Sequence, residues 1–384
     1  MCCLSSNFLS AQNSLMVRLY ANYPSQRAII TTDSVPYYLL AFDQELKLID
    51  TIYDLFPTDS DRTLYLSLSA NGIKVKTAQK NLGHYTALRV ASPHPGKEFR
   101  IASGNKERAY EGELQLRPYN NYLQIVNIVG LENYVAGVVE SESKPDDQLE
   151  YYKTQAVLAR TFALRNLQKH IDEGYNLKDD VTSQVYLSKC HFKYKDLIRE
   201  AVAATGDSIM VSEKTAPILS VFHANSGGQT VGAEDAWLKP VSYLQARKDS
   251  FSIGVGSYSW QKKIPKTQFF AYFSRYLGVA NSETLHKALL NFKQSERKSH
   301  FHFQGKSIKL TAVRRDFHLR STYFSVHDAG DYVLLKGHGY GHGVGLSQDG
   351  ALEMARKGFD FKEILYFYFD KVTLQSISNL KEKT

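Results

Sequence analysis

Residues 137–167 read GVVESESKPDDQLEYYKTQAVLARTFALRNL, and the spacing of their side chains predicts two helices separated at a proline. Before Pro145, apolar residues recur every three or four positions on one helical face, and Glu142 continues that face. After Pro145, a second apolar stripe has Arg160 near its middle and Lys153 close by. One carboxylate and two cations therefore occupy positions where apolar residues are expected.

The composition predicts a globular, basic protein. The 384 residues are 43% hydrophobic and 12% aromatic, enough to build two domains or one elaborated domain around a sizeable core. A formal charge of +8 favours an anionic partner such as nucleic acid, a membrane surface or an acidic wall polymer. The basic residues are dispersed, and the sequence contains no Lys/Arg run and no zinc-finger or RNP-like motif. We therefore expect no nucleic-acid partner.

The cysteines and the first residues bear on the compartment. Cys190 is the one cysteine in the body of the chain, so no intrachain disulfide framework is expected. Residues 1–17 carry no charge, and the Leu-Ser-Ala at positions 9–11 is typical of the end of a secretory signal peptide. We interpret residues 1–12 as the remnant of such a peptide and predict an exported protein. The sequence contains no strongly apolar window of about 18–20 residues, so we expect no transmembrane helix.

The order of strand-like and helical patterns predicts an α+β fold. Residues 13–118 contain short alternating segments separated by Asn, Gly, Pro and Asp, which predicts a β-rich N-terminal domain. Turn residues at 117–121 mark the predicted boundary to a mixed α/β core over residues 119–384. Within that core, the polar, Lys-rich stretch at about 250–315 is expected to be a helical insertion.

The pattern leaves two interpretations of Glu142. Burial in an apolar environment disfavours the charged carboxylate, so the pKa is expected to rise, which suits a general acid near neutral pH. The same carboxylate could instead form a buried ion pair with Arg160 or Lys153. Arg160 could extend its stem along the core, or it could orient Glu142 or a substrate through its guanidinium. Lys153 lies nearer the edge of the stripe, where a solvated surface lysine is the simpler interpretation.

Two glycine-rich loops are further candidates for a site. The loop GHGYGHGVG (residues 337–345) has neither dinucleotide-binding nor P-loop spacing, and no acidic or thiol partner for a metal lies beside its histidines. Close backbone packing around a cleft, which His342 could line, is the more economical interpretation. In HANSGG (residues 223–228), the G-x-S-x-G of a serine hydrolase is absent. Trp237 and Trp260 could stack on sugar rings, although most aromatic residues are core.

Several motifs, in a fixed order, resemble those of the SpoIID/LytB family, the bacterial peptidoglycan lytic transglycosylases and amidase enhancers. They cover most of residues 115–370 and read ENYVAGVVESES, KTQAVLARTFAL, SQVY, FHANSGGQT, LRSTYF and GHGVGLSQDGALEMARKGFDFKEILYFYF. The resemblance implies a SpoIID-like core over residues 119–384, peptidoglycan glycan strands as the ligand, and no cofactor.

The resemblance also implies roles for individual residues. Glu142 matches the family's catalytic acid, and Lys153 and Arg160 match the lysine and arginine that are also implicated in activity. The remaining matched positions imply contacts with the glycan, and they are Gln184, Tyr186, His223, Asn225, Ser226, Gly227, His342, Ser347 and Gln348.

The chain departs from the family pattern in two places near Glu142. The usual Met-Pro after the glutamate is replaced by Ser143 and Lys144, with the proline one position later. Sporulation members carry Cys and His just before Q-V-Y and bind zinc there, whereas this chain has Thr182 and Ser183. We therefore predict no metal at this position.

The predicted function is an exported lytic transglycosylase of the periplasm or cell envelope. It would cleave the bond between N-acetylmuramic acid and N-acetylglucosamine without water, leaving a 1,6-anhydro product. One carboxyl group can carry out this chemistry, whereas hydrolytic glycosidases require a second, which the pattern does not mark. The alternative is a non-catalytic wall-binding protein that stimulates a separate cell-wall amidase, with Glu142 as an ion-pair residue.

Overall fold

The protein is described by a computed structural model that covers residues 14–33, 36–53, 55–56, 62–94, 96–187, 193–236 and 239–381. The predicted signal-peptide remnant at residues 1–12, the thiol of Cys190 and Trp237 lie outside these residues. In the described part of the chain, no helix is both long enough and apolar enough to cross a membrane.

The described chain forms two compact units. The first contains the described residues up to Asp147 together with Gln155–Ser208, and the second contains Gln148–Thr154 and the described residues from Ile209 onward. The boundary predicted near residue 118 instead falls inside a β-hairpin of the first unit. Asn120 and Asn121, with φ of 43° and 63°, form its two-residue turn. Positive φ at both turn positions matches the twist of the flanking strands, so the chain continues in the same sheet.

The first unit is built on two sheets. A seven-stranded sheet has the order β13-β1-β12-β11-β8-β3-β4, and a six-stranded sheet has the order β10-β9-β2-β5-β6-β7. Burial alternates along strands such as β2, because successive side chains point to opposite faces of a sheet. The strands are β1 (Ser14–Leu19), β2 (Arg27–Thr32), β3 (Tyr38–Phe42), β4 (Leu48–Ile52), β5 (Thr63–Ser69), β6 (Gly72–Lys76), β7 (Asn81–Tyr85), β8 (Ala87–Ala91), β9 (Glu98–Ser103), β10 (Lys106–Glu111), β11 (Glu113–Tyr119), β12 (Tyr122–Gly130) and β13 (Leu177–Lys178).

Three helices follow the hairpin, and they are α1 (Leu131–Glu142), α2 (Leu149–Arg165) and α3 (Lys195–Ala204). A short 3₁₀ turn, Ile171–Glu173, follows α2. The two helices predicted on either side of Pro145 are confirmed as α1 and α2. Residues 134–139 of α1 are all buried, and Glu142 is its last residue, so the carboxylate stands at the C-terminal end of a helix packed into the core.

The second unit contains smaller sheets and shorter helices. Its strands are β14 (Ser208–Ser212, whose first residue belongs to the first unit), β15 (Phe222–His223), β16 (Ser259–Pro265), β17 (His300–Phe303), β18 (Lys306–Lys309), β19 (Phe324–Ala329), β20 (Tyr332–His338), β21 (Leu346–Ser347) and β22 (Val372–Ser376). Its helices are α4 (Ala233–Ala236), α5 (Lys266–Leu277), α6 (Glu283–Leu290), α7 (Leu310–Asp316), α8 (Gln348–Arg356), α9 (Phe361–Tyr368) and α10 (Ser378–Lys381), with a 3₁₀ turn at Ser250–Ser252.

Residues 259–338 of this unit form what we call the insertion lobe, which has its own hydrophobic core. The core contains aromatic residues of α5 packed against β19 and β20. The expected insertion at 250–315 was predicted to be helical, but the lobe is a mixed α/β structure that extends to residue 338. The reason is that β16 pairs with β20, which lies beyond the Lys-rich stretch.

Candidate functional site

Glu142 is held at the C-terminal end of α1 by a backbone contact. Its Oε1 accepts a hydrogen bond from the N–H of Val185 at 2.7 Å, and the side chain is half-buried. Burial raises the pKa of this carboxyl group above its ordinary value, and the hydrogen bond from Val185 lowers it in part. Glu142 therefore holds its proton to a higher pH than a solvated glutamate does.

The segment 184–187 lies along α1 and supplies that contact. The N–H of Leu187 donates to Ser141 Oγ at 3.1 Å, so alternate backbone amides of the segment bond to the last turn of α1. The Tyr134 hydroxyl donates to Gln184 Oε1 at 3.2 Å. Gln184, predicted to contact the glycan, directly precedes the residue that bonds to Glu142, and its side-chain carbonyl oxygen already has a partner within the protein.

Tyr186 fixes the position of the segment. Its ring packs between Tyr134 and Tyr110 with centroid separations of 5.0 and 5.2 Å, and its hydroxyl donates to Asn127 Oδ1 at 3.0 Å. A Cβ atom at Gly137 would lie only 2.5 Å from Cε2 of the Tyr186 ring, so the absence of a side chain there allows the ring to approach α1. Tyr186 is almost fully buried, which makes it a support for the Glu142 site and not a surface for substrate.

Arg160 does not form the ion pair with Glu142 that one interpretation proposed. Its Nε and Nη2 donate to the two carboxylate oxygens of Glu132 at 2.9 and 2.5 Å, and its other donors reach the carbonyls of Ser208 and Val202. Glu132 and Glu142 are ten residues apart on α1, about 15 Å along the axis at 1.5 Å per residue. The guanidinium, which is 0% exposed, therefore joins α2 to α1 and α3 at the end of α1 remote from the acid.

Lys153 belongs to the second unit and has a carboxylate partner of its own. Its Nζ lies 2.7 Å from Glu150 Oε1 and 6.0 Å from the centroid of the Phe361 ring. The other oxygen of Glu150 accepts a hydrogen bond from the Phe361 N–H at 2.9 Å. The side chain of Lys153 is 18% exposed, so it is less solvated than the sequence pattern predicts.

The two positions that replace the family's zinc ligands are used in local turns. The backbone N–H and the hydroxyl of Thr182 both donate to Asp180 Oδ1, at 2.8 and 2.6 Å. Ser183 Oγ accepts from the N–H of Lys178 at 3.2 Å. Among the described residues, no group of three or more His, Cys, Asp or Glu side chains could hold a metal ion.

A second cluster of predicted residues lies where the HANSGG and GHGYGHGVG loops meet, within the second unit. The backbone of Asn225 pairs with Tyr340, and its side-chain amide donates to Asp349 Oδ2 at 3.0 Å. Ser226 Oγ donates to Asp249 Oδ2 at 2.7 Å, and the N–H of Ser226 donates to Ser347 Oγ at 3.2 Å. The predicted residues are therefore brought together, but their polar groups are already bonded within the protein, to Asp249, to Asp349 and in part to one another.

The side chains of Asn225, Ser226 and Ser347 are buried, which corrects the expectation that they line an open glycan cleft. Asn225, Ser226 and Ser347 are between 0% and 1% exposed, and Ser347 Oγ also caps the N-terminus of α8 by accepting from the N–H of Gly350. Gly227 has a φ of +74°, and a Cβ there would lie 2.7 Å from the carbonyl carbon of His338. Gln348 is buried as the first residue of α8. These residues hold the two loops together.

His223 and His342 are both neutral imidazoles in this cluster. Burial lowers the pKa of His342 to about 4, and burial together with the nearby His342 lowers that of His223 well below its ordinary value. His342 Nδ1 accepts from the N–H of Val344 at 3.0 Å, so its Nε2 donates to the carbonyl of Phe222 at 2.9 Å. Both histidines were expected to contact the glycan. His342 is partly exposed and is compatible with that position, whereas His223 is only 4% exposed.

Sequence reasoning missed several residues that support these two clusters. Val185 contributes through its backbone, which leaves no mark on side-chain periodicity, and Ser141 resembles any exposed helical serine. Glu132 could have been found, because a guanidinium in the middle of an apolar stripe requires a carboxylate within reach. Asp249 and Asp349 stand in loops and helix starts, where acidic residues are common, so nothing in the sequence indicates their burial.

Comparison with known proteins assigns the chain to a family. Residues 119–211 match the family described as SpoIID, Stage II sporulation protein. Stage II sporulation protein D of Bacillus subtilis (strain 168) is 31% identical over 300 residues, which are 73% of this chain and 84% of that protein. Its counterpart in Bacillus amyloliquefaciens is 30% identical over 321 residues, 78% of this chain and 88% of that protein.

A more distant similarity extends to a protein with a different name. The amidase enhancer of Bacillus subtilis (strain 168) is 23% identical over 294 residues, which are 62% of this chain and 40% of that protein. The family match includes α1, α2 and the segment 184–187, which carry Glu142, Arg160 and the backbone contact to Glu142. The chain matches the family model, and it is at least 30% identical to two relatives over most of their length. It therefore belongs to the SpoIID family.

Proposed function

We propose that this protein is a peptidoglycan lytic transglycosylase in which Glu142 is the single acid and base. The observation that carries the proposal is the half-buried carboxyl group of Glu142, whose pKa is raised by burial and which ends a buried helix. A raised pKa keeps the group protonated closer to neutral pH, as a proton donor to a leaving oxygen requires.

In the first step, Glu142 would donate its proton to the glycosidic oxygen as the bond between that oxygen and C1 of N-acetylmuramic acid breaks. In the second, the resulting carboxylate would take the proton of the C6 hydroxyl as O6 bonds to C1, giving the 1,6-anhydro product and restoring the acid. No water is consumed. The N–H of Val185 supports this cycle, because it stabilises the carboxylate that exists between the two steps.

Arg160 and Lys153 would have different roles in this reaction: Arg160 would position the helix that carries Glu142, and Lys153 would stabilise charge on the glycan. Arg160 is a positioning residue in this proposal, because its guanidinium is bound to Glu132 and fixes α1 against α2. Lys153, paired with Glu150, would have to exchange that partner to stabilise charge on a glycan. Access to the wall requires export, which is part of the proposal.

The test is the digestion of purified glycan strands, with and without stem peptides, followed by mass spectrometry of the products. Wild type is expected to release anhydromuropeptides or anhydro sugars, and Glu142→Gln to release none. Glu140→Gln, the same change two residues earlier on α1, is the matched control and is expected to remain active. A wild type without anhydro product on either substrate refutes the activity, and an active Glu142→Gln refutes the assigned acid.

The second candidate function is that of a non-catalytic protein that stimulates a cell-wall amidase. It is favoured by the alignment with a protein named amidase enhancer over 294 residues. In that case, adding this protein to an amidase would accelerate peptide release, and Glu142→Gln would stimulate as well as wild type.

A further inference from the structure

Arg297 is a buried arginine with an unused donor. It is 9% exposed, its Nη1 donates to the carbonyls of Ser226 and Gln229 at 3.0 and 3.1 Å, and its Nε donates to Thr322 Oγ1 at 3.3 Å. Its Nη2 has no hydrogen-bond partner within the described chain. Gly343 packs directly on the guanidinium, since a Cβ there would lie 2.4 Å from Nη1.

Two further arginines of the insertion lobe lie in the same neighbourhood. Arg314 Nε donates to the carbonyl of Arg320 at 3.3 Å, and the same carbonyl accepts from the N–H of Gly341 at 2.9 Å. The guanidinium carbon of Arg320 stands 5.4 Å from the centroid of the Tyr340 ring. We call Arg297, Arg314 and Arg320 the arginine cluster, and it borders the GHGYGHGVG loop.

The charge of this cluster is not neutralised by the protein. None of the three arginines is in an ion pair among the residues that the structure describes; Asp235, which influences Arg297 electrostatically, is exposed and forms no ion pair with it. Burial and the repulsion of Arg314 lower the pKa of Arg297 to about 10, and burial lowers that of Arg314. Arg297 is the buried member of the cluster, Arg314 is part-buried and Arg320 is exposed. A buried cation without a carboxylate is costly, so Arg297 and its part-buried neighbour Arg314 favour an anion from outside the chain.

The surface beside the cluster fits a sugar acid. Tyr340 is 46% exposed, and its ring centroid lies 5.4 Å from the guanidinium carbon of Arg320, so an exposed aromatic surface that suits a pyranose adjoins the cluster. Arginine forks bind planar carboxylates through two parallel N–H donors. His342 adds no charge here, because its lowered pKa keeps it neutral at physiological pH.

We propose that the arginine cluster binds a carboxylate of peptidoglycan next to a sugar ring that contacts Tyr340. The identity of the polymer rests on the proposed function, whereas the anion site rests on the arginines themselves. Two carboxylates of this substrate have the required chemistry: the lactyl group of N-acetylmuramic acid, which is free when the stem peptide is absent, and a carboxylate of the peptide itself.

The test is ligand-observed NMR titration of the full chain with three soluble probes. N-acetylmuramic acid presents the lactyl carboxylate, N-acetylmuramoyl-L-alanyl-D-isoglutamine presents a peptide carboxylate instead, and N-acetylglucosamine presents neither. At least one acidic probe is expected to bind about tenfold more tightly than N-acetylglucosamine, the effect of one charge-assisted hydrogen bond. The acidic probe that binds identifies the source of the carboxylate.

Variants assign the binding to the cluster. Arg314→Gln and Arg320→Gln should each weaken binding of the acidic probe by about tenfold, and Arg314→Lys should restore part of it. The matched control is Arg315→Gln on the same helix, because that exposed guanidinium already pairs with Asp316 at 2.7 Å and should not affect binding. Equal affinity for all three probes, or equal effects of Arg314→Gln and Arg315→Gln, overturns the proposal. Because none of the probes contains a bond for the enzyme to cleave, failure of the transglycosylase activity would leave this result unaffected.

Discussion

The contact between Gly137 and Tyr186 provides a strict test of how the Glu142 site is assembled. In Gly137→Ala, the new methyl carbon would stand 2.5 Å from Cε2 and 3.0 Å from Cδ2 of the Tyr186 ring. Carbon atoms in proteins prefer separations of about 3.5–4.0 Å, so the ring or the helix must move by about 1 Å. The segment that carries Val185 would move with the ring.

Two opposing effects determine the change in stability. Overpacking a tight core contact costs about 1–3 kcal/mol, whereas replacing glycine by alanine within a helix contributes about 1 kcal/mol. Gly137→Ala is therefore expected to lower the free energy of unfolding by up to about 2 kcal/mol. If Glu142 is the acid as proposed, the rate of anhydro-product release per folded molecule should also fall, because the 2.7 Å hydrogen bond between Val185 and Glu142 would lengthen.

A double-mutant cycle isolates the contact. In a Tyr186→Leu background the ring is absent, so Gly137→Ala should become neutral or stabilising by up to about 1 kcal/mol. Urea titrations followed by circular dichroism give the four free energies. The reasoning is refuted if Gly137→Ala stabilises the protein equally in both backgrounds, since the ring would then leave room for a methyl group.

Three further predictions concern other residues of the two clusters. Because burial raises the pKa of Glu142 on folding, the contribution of this carboxyl group to stability is full below the unfolded-state pKa of about 4.3 and is lost as pH rises through the folded-state pKa. The melting temperature of Glu142→Gln should therefore rise relative to that of wild type as pH increases above about 4.3, and a difference that does not change with pH would contradict this. Arg160→Met should cost about 3 kcal/mol in urea unfolding. The rate of anhydro-product release per folded molecule should fall only in part, because α1 loses its anchor while Glu142 is retained; a rate as low as that of Glu142→Gln with unchanged stability would instead assign Arg160 to the chemistry. Ser347→Ala removes both the cap of α8 and an acceptor for the N–H of Ser226, so the free energy of unfolding should fall by about 1–2 kcal/mol, as measured by differential scanning calorimetry. An unchanged unfolding transition would show that the cap does not contribute to stability.

Local patterns in the sequence predicted the elements but not their partners. The spacing around Pro145 predicted α1 and α2, and the turn residues predicted a break after β11, because both signals act within a few residues. The same turn residues also predict a domain boundary, but the long-range pairing of β11 with β12 keeps both strands in one sheet. Strand order within the two sheets follows from such pairings, which no local signal encodes.

The candidate site was predictable to the same limited degree. Burial of Glu142 follows from helical periodicity, but its hydrogen bond from Val185 joins residues 43 positions apart. The position of Arg160 within an apolar stripe is visible in the sequence, but its pairing with Glu132 depends on how α1, α2 and α3 pack together. The resemblance implies that the loop residues Asn225 and Ser226 face a glycan, and no local signal contradicts it, because polar side chains beside glycines are as typical of buried hydrogen-bond networks as of binding loops.

The insertion lobe has a consequence for how this protein could diversify. Its first and last residues, Ser259 and His338, are directly paired neighbours on adjacent strands. The two ends of the lobe therefore join the rest of the second unit at points about 5 Å apart, a gap that a short turn can close. A segment with its own core and adjoining ends can be exchanged as a cassette. Arg314 and Arg320, the proposed ligand contacts, belong to this segment, and Glu142, the proposed acid, does not, so exchange of the segment would alter ligand preference and leave Glu142 unchanged.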